Sequence, residues 1–141
     1  MKFKKLFVLV VLVFVAVSMN SCANSGGFLS SHNTNVELSE NNYEIVATNL
    51  SGESVVGYVF GASFSLGAVS HSAGLFRAEG TGNVYEEALQ DLYAAYEDEH
   101  GSLEGSSVAF INVRYDTDML NLFFYTELKV NVRADVVRFV D

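Results

Sequence analysis

Residues 124–136 read FYTELKVNVRADV. Phe124, Thr126, Leu128, Val130, Val132, Ala134 and Val136 fall at every second position. Tyr125, Glu127, Lys129, Asn131, Arg133 and Asp135 fall between them. A period of two sustained over this length marks a strand with one face on a core and the other in water. The remainder of the chain reads as material that covers the apolar face.

Upstream, residues 106–115, SSVAFINVRY, are apolar around Val108 and Val113 and predict a buried strand, which Asp116-Thr117-Asp118 breaks. Residues 83–99 predict the main helix. Asn83 is a suitable N-cap, with Glu86 three residues on as in a capping box. Tyr85, Ala88, Leu89, Leu92 and Tyr96 form an apolar stripe, Glu86, Glu87, Asp91, Glu97 and Asp98 face water, and Gly101 stops the helix.

Earlier still, residues 43–50 and 54–61 predict a hairpin turning at Ser51-Gly52-Glu53, preceded by a short strand at Val36-Glu37-Leu38. Residues 62–82, rich in Gly, Ser and Ala, read as a long connection of the kind that carries function or moves. The expected fold is therefore α+β. A single antiparallel or mixed sheet of about five strands carries one main helix, in the order β-β-β-α-β-β, over one domain at residues 36–141.

The N-terminus has a different character. Lys2, Lys4 and Lys5 precede an unbroken apolar run at residues 6–17, and Ser18-Met19-Asn20-Ser21 leads to Cys22, the only cysteine. This is the pattern of a secretory signal over residues 1–21. Cys22 directly after the apolar run, with small Ser21 before it, predicts lipidation by fatty acyl chains such as palmitate. Met19 stands where Leu is usual in such a box. Residues 22–35 then read as the lipidated cysteine and a Gly/Ser-rich flexible tether. No acidic run follows Cys22, which favours an outer-membrane location facing the periplasm.

Without residues 1–21 the chain holds five basic and 17 acidic residues, a net charge of −12. That balance argues against nucleic acid as a partner. The membrane is the expected partner, through the N-terminal lipid, with self-association or an envelope protein as a further one.

The quoted residues also carry a resemblance. NTNVELSENNYEIVATNLSGESVVGYVFG, EEALQDLY, GSSVAFINV and TELKVNVRADVVRF, spanning residues 33–139, resemble a family of short bacterial lipoproteins of unknown function. That resemblance implies a lipoprotein signal joined to one small domain and supplies no activity or catalytic residue. Residues 87–116 are similar, more briefly, to a small α+β family assigned to heavy-metal binding, some members of which form rings. The absence of cysteine after Cys22 argues against a soft-metal role.

Side-chain chemistry is sparse. His32, His71 and His100 stand apart, none with a partner at ligand spacing. Glu97, Asp98, Glu99 and Glu104 form the densest acidic cluster, read as a solvated helix end rather than a cation site. Gly80-Thr81-Gly82 lacks the lysine of a phosphate loop and reads as a turn, and Asp116 and Asp118 read as turn carboxylates. Tyr125 with Phe123 could present an aromatic face.

No nucleophile–base pair, metal set or cofactor motif is visible, so neither an enzyme, a metal nor a cofactor is expected. The expected function is that of a non-enzymatic structural or interaction module anchored by lipid at Cys22. The alternative is a module binding a small ligand or cation through residues 62–82 and the acidic helix end.

Overall fold

The structure, a computed structural model, describes residues 2–18, 22–30, 38, 42–66, 69–122 and 124–140. Two helices, α1 (Lys2–Ser18) and α2 (Val84–His100), accompany five strands: β1 (Cys22–Ser30), β2 (Tyr43–Leu66), β3 (Val69–Glu79), β4 (Val108–Asn121) and β5 (Tyr125–Phe139). The strands make one antiparallel sheet in the order β1-β4-β5-β2-β3. Its body is the four strands β2 to β5. Strand β1, from residues expected to form a tether, adds along β4.

The α+β expectation is overturned. Most of the described chain is strand, and the order after residue 36 is β-β-α-β-β. The first reason is β2, which runs over 24 residues and absorbs both arms of the expected hairpin. Ser51, Gly52 and Glu53 do not turn; they pair with Arg133, Val132 and Asn131. Gly52 is glycine for another reason. A Cβ there would lie 2.3 Å from both the Ala88 carbonyl oxygen and the Leu92 nitrogen. The bare backbone is the seat on which α2 rests, a use of glycine that mimics a turn signal in the sequence.

The second reason is the expected connection at residues 62–82, of which 62–66 and 69–79 are strand. β2 continues to Leu66 and β3 returns beside it, with Gly61 opposite Gly74 and Ser63 opposite Ser72. The Asp116–Asp118 break is also absent, since β4 continues to Asn121 with Thr117 opposite Val130. The short strand expected at residues 36–38 lies outside the described residues except for Leu38, which belongs to no regular element.

The alternation along residues 124–136 appears in the core. Thr126, Leu128, Val130, Val132, Ala134 and Val136 are all buried, while Phe124 lies just outside the strand and is exposed. Against them α2 buries Val84, Ala88, Leu92 and Tyr96, and Val56 completes the layer from β2. Each large aliphatic side chain so buried contributes about 1.5–3 kcal/mol. Tyr93 and Tyr96 close the layer at its far end against Phe110, with ring centroids 4.9 and 5.7 Å apart.

Register irregularities flank β5 on both sides, with a first slip between Ile45 and Ala47. The register slips between Ala47 and Leu50 on one side and between Ile111 and Arg114 on the other. Asn49 and Asn112 sit there at φ of 55°, a left-handed conformation that asparagine tolerates better than most residues. One carboxylate ties both. The Asn49 backbone N–H donates to Asp135 Oδ1 at 2.8 Å, and the Asn112 side-chain amide donates to Asp135 Oδ2 at 2.8 Å.

Candidate functional site

The second half of β2 leaves β5 after Val59, where its pairing with Tyr125 ends. Phe60 makes the bend with φ of 52°, an uncommon conformation for a bulky residue. Its N–H donates to the Phe124 carbonyl at 3.0 Å, and the two rings meet edge to face at 5.4 Å. Beyond the bend, the β2–β3 hairpin lies across the same sheet face that α2 covers. Gly61 makes that crossing possible, because a Cβ would meet the Thr126 methyl at 2.6 Å.

Hydroxyls hold this crossing together. Ser63 Oγ and Thr126 Oγ1 lie 3.1 Å apart, Ser65 and Ser70 hydroxyls 2.9 Å, and Ser70 and Thr117 hydroxyls 3.1 Å. Thr126 also donates to the Leu120 carbonyl at 3.0 Å and contacts the Asn121 amide oxygen. The Asn121 side chain grips Ser63 from both sides. Its amide donates to the Ser63 carbonyl at 3.0 Å, and its oxygen accepts from the Ser63 N–H at 2.7 Å. From α2, the Tyr85 hydroxyl accepts from the Ser70 N–H at 2.9 Å. Ser63, Ser70, Thr117 and Thr126 are all buried.

Buried hydroxyls are costly unless paired, and these pair with one another, which makes the seam directional as well as tight. The outward side of the hairpin has the opposite character. Phe60, Phe64, Leu66, Val69 and Leu75 are exposed there, Leu75 to 75%, while Phe76, also exposed, stands on the other side of β3. A recess of about 160 Å³ remains between the hairpin and the start of α2, lined by residues that include Ser70, His71, Ser72 and Tyr85. That is below the size usual for small-molecule sites.

The start of α2 corrects one expectation. Asn83 makes no side-chain cap, and Glu86 is bonded by Gln90 at 3.4 Å rather than reaching back to Asn83. Glu87, expected in water, is the anchoring carboxylate. The Ser54 hydroxyl donates to it at 2.6 Å, and the Thr81 hydroxyl donates to its other oxygen. These donors, Ser54 first, hold its pKa below the ordinary value. Thr81, read as part of a turn, thus joins β3's end to α2.

The other singled-out residues scatter. His71 packs against Phe64 at 5.9 Å, and His100 stacks on Tyr96 at 4.7 Å. His32 and Phe123 lie outside the described residues. Glu97 accepts from the Leu103 N–H at 2.8 Å and so orders the loop after α2. Asp116 and Asp118 stand on β4 opposite Asn131 and Lys129. Tyr125 donates to Glu127 at 3.0 Å, and burial, then that carboxylate, pushes its pKa up. Among the described residues no three His, Cys, Asp or Glu side chains cluster so as to hold a metal ion. Cys22 opens β1, its Cα opposite that of Asn121.

In the sequence Ser63, Ser65 and Ser70 fall in the expected connection at residues 62–82, Thr117 in the expected break and Thr126 on the core face of the last strand, with no pairing among them indicated. The signal was present as serine at alternate positions 63 and 65, and again 70 and 72, which is a strand period.

Sheet, crossing helix and hydroxyl-seamed hairpin define a small, strand-dominated antiparallel protein. The chain matches the model of DUF6567, a family of unknown function, over residues 1–141, and belongs to that family. No curated protein and no solved structure matches the chain.

Proposed function

We propose that the protein is a lipid-anchored component of a bacterial cell envelope, tethered through Cys22 and acting as a non-enzymatic interaction module. The observation that carries this reading is the character of the N-terminus. Helix α1 starts at a lysine cluster and is apolar on every side, and Leu6, Phe7, Leu9 and Leu12 remain more than half exposed. Such a surface has no place in water. Among the described residues no helix is long and apolar enough to cross a membrane. A removable signal followed by an acylated cysteine accounts for both facts. The uncovered apolar hairpin supports interaction over catalysis, and the lack of an acidic run after Cys22 favours the periplasmic face of an outer membrane.

Growth with a clickable palmitate analogue tests the anchor. The expected outcome is label in the protein and none in Cys22→Ser. Equal labelling of both chains sinks the reading, as does an N-terminal mass without acyl groups.

A further inference from the structure

We propose that the outward side of the β2–β3 hairpin, continued by Leu122 and Phe124, is the surface on which the protein lies against a phospholipid bilayer. This deepens the anchored reading and rests on it.

Four observations converge. First, the hairpin is apolar on the outside by construction. The Ser63 and Ser70 hydroxyls are taken by Thr126 and Thr117, and Asn121 holds the Ser63 backbone, so turning Phe64 inward would break that network. Second, residues 54–76 contain no Asp, Glu, Lys or Arg in a chain with 17 acidic residues. The nearest charges on β3, Arg77 and Glu79, are of opposite sign.

Third, the hairpin root and the proposed anchor share one end of the sheet. Cys22 stands opposite Asn121, Asn121 holds Ser63, and Phe60 is bonded to Phe124 in the β4–β5 turn. A lipid on Cys22 therefore brings this end to the bilayer before any other. Fourth, the dense acids lie at the opposite end. Tyr96 packs on Phe110, which pairs with Val136 near the close of β5. Glu97, Asp98, Glu99 and Glu104 follow from there. Anionic headgroups repel those carboxylates and leave the uncharged hairpin facing lipid. Exposed Phe and Leu side chains gain by entering the boundary between headgroups and acyl chains.

A second copy of the chain is the competing occupant, since β3 is an edge strand. The position of Cys22 favours lipid, because the anchor delivers the hairpin to the membrane regardless of protein concentration.

The test uses the full chain as processed by a bacterial host, with Leu75→Cys and, separately, Glu99→Cys. Each is labelled with an environment-sensitive fluorophore. Both positions are exposed, so labelling leaves the fold intact. The protein is reconstituted in phosphatidylethanolamine–phosphatidylglycerol vesicles carrying brominated acyl chains. The label at 75 is expected to shift blue and lose most of its emission, while that at 99 keeps its emission and stays open to aqueous iodide. Equal iodide access at both positions overturns the inference. A pyrene at 75 that gives excimer emission persisting on dilution into excess lipid overturns it in favour of a second copy.

Mass spectrometry of the same samples separates the two failures. Two labels per chain and no acyl mass remove the anchor, and the same quenching measurement with Cys22→Ser added, which leaves one label at 75, then decides the hairpin. One label with acyl mass and an aqueous hairpin keeps the anchor and removes this inference.

Discussion

Two coverings share one face of the sheet, and they are held by opposite means. Under α2 the contact is aliphatic: Leu92 and Ala88 over Leu128, Val130 and Val132. Under the β2–β3 hairpin it is a run of hydroxyls from Ser63 and Ser70 to Thr117 and Thr126. Apolar burial is non-directional and scales with area, so α2 supplies most of the stability. Hydrogen bonds contribute less net free energy but fix position, so the seam supplies placement. The difference teaches why the hairpin can wear its apolar side chains outside: its attachment does not depend on them.

The contrast can be broken most severely at its aliphatic end. Val132→Asp puts an unpaired charge at a fully buried position and is expected to cost more than about 4 kcal/mol, leaving the chain unfolded at neutral pH. A circular-dichroism melt matching the parent would show that the β5 register is wrong. Gly52→Ala comes next, at about 1–3 kcal/mol, because the helix backbone must move off the strand. Urea unfolding should show a lower midpoint at unchanged slope, and an unmoved midpoint would mean α2 is not seated there.

Thr126→Val removes a hydroxyl that serves Ser63, Asn121 and Leu120, with an expected cost of about 1–2 kcal/mol. Its sharper signature is local. Amide exchange at Ser63 and Ser70 should quicken well before that of Val130, and uniform quickening would argue that seam and core open together.

The smallest effect is acid sensitivity. Glu87 and Asp135 both have folded pKa values below their ordinary ones, 4.5 and 3.8, held down by the hydroxyls of Ser54 and Thr81 and by Asn112 with the Asn49 N–H. A depressed carboxyl pKa stabilises the fold fully above its unfolded value. That contribution is lost as pH falls through the folded value. Stability is thus expected to hold flat near neutrality and decline below about pH 4.5. Glu87→Gln should flatten part of that decline, and a variant whose curve parallels the parent's throughout would exclude Glu87 as a contributor.

The sequence showed β5 and α2 clearly, since each has a clean period and a single dominant face. It misled at Gly52, where the absence of a side chain serves a helix resting on a strand. A lone glycine between two β-prone runs looks the same whether it turns or is covered. It misled again at residues 62–82, because small and polar residues usually mean a loop. Here residues 62–66 and 69–79 lie in two strands whose inward face is hydrogen-bonded rather than apolar, so hydropathy alone has nothing to register. The seam was missed because its partners lie far apart in the chain, Ser70 with Thr117 and Ser63 with Thr126. Nothing local in either segment announces the other. Glu87 was missed because capping logic favoured Glu86, whereas the donors come from Ser54 and Thr81.

The pairing of β2 with β5 has a further consequence. Tyr43 meets Phe139, and Val56 meets Leu128, so the central ladder joins the first strand of the body to the last. No stable half-sheet can close while the final strand is missing. Contacts of such long sequence separation also form slowly. The chain consequently stays loose until its last residues are made, which fits the export proposed above, where an unfolded chain passes more readily through a narrow opening than a closed sheet.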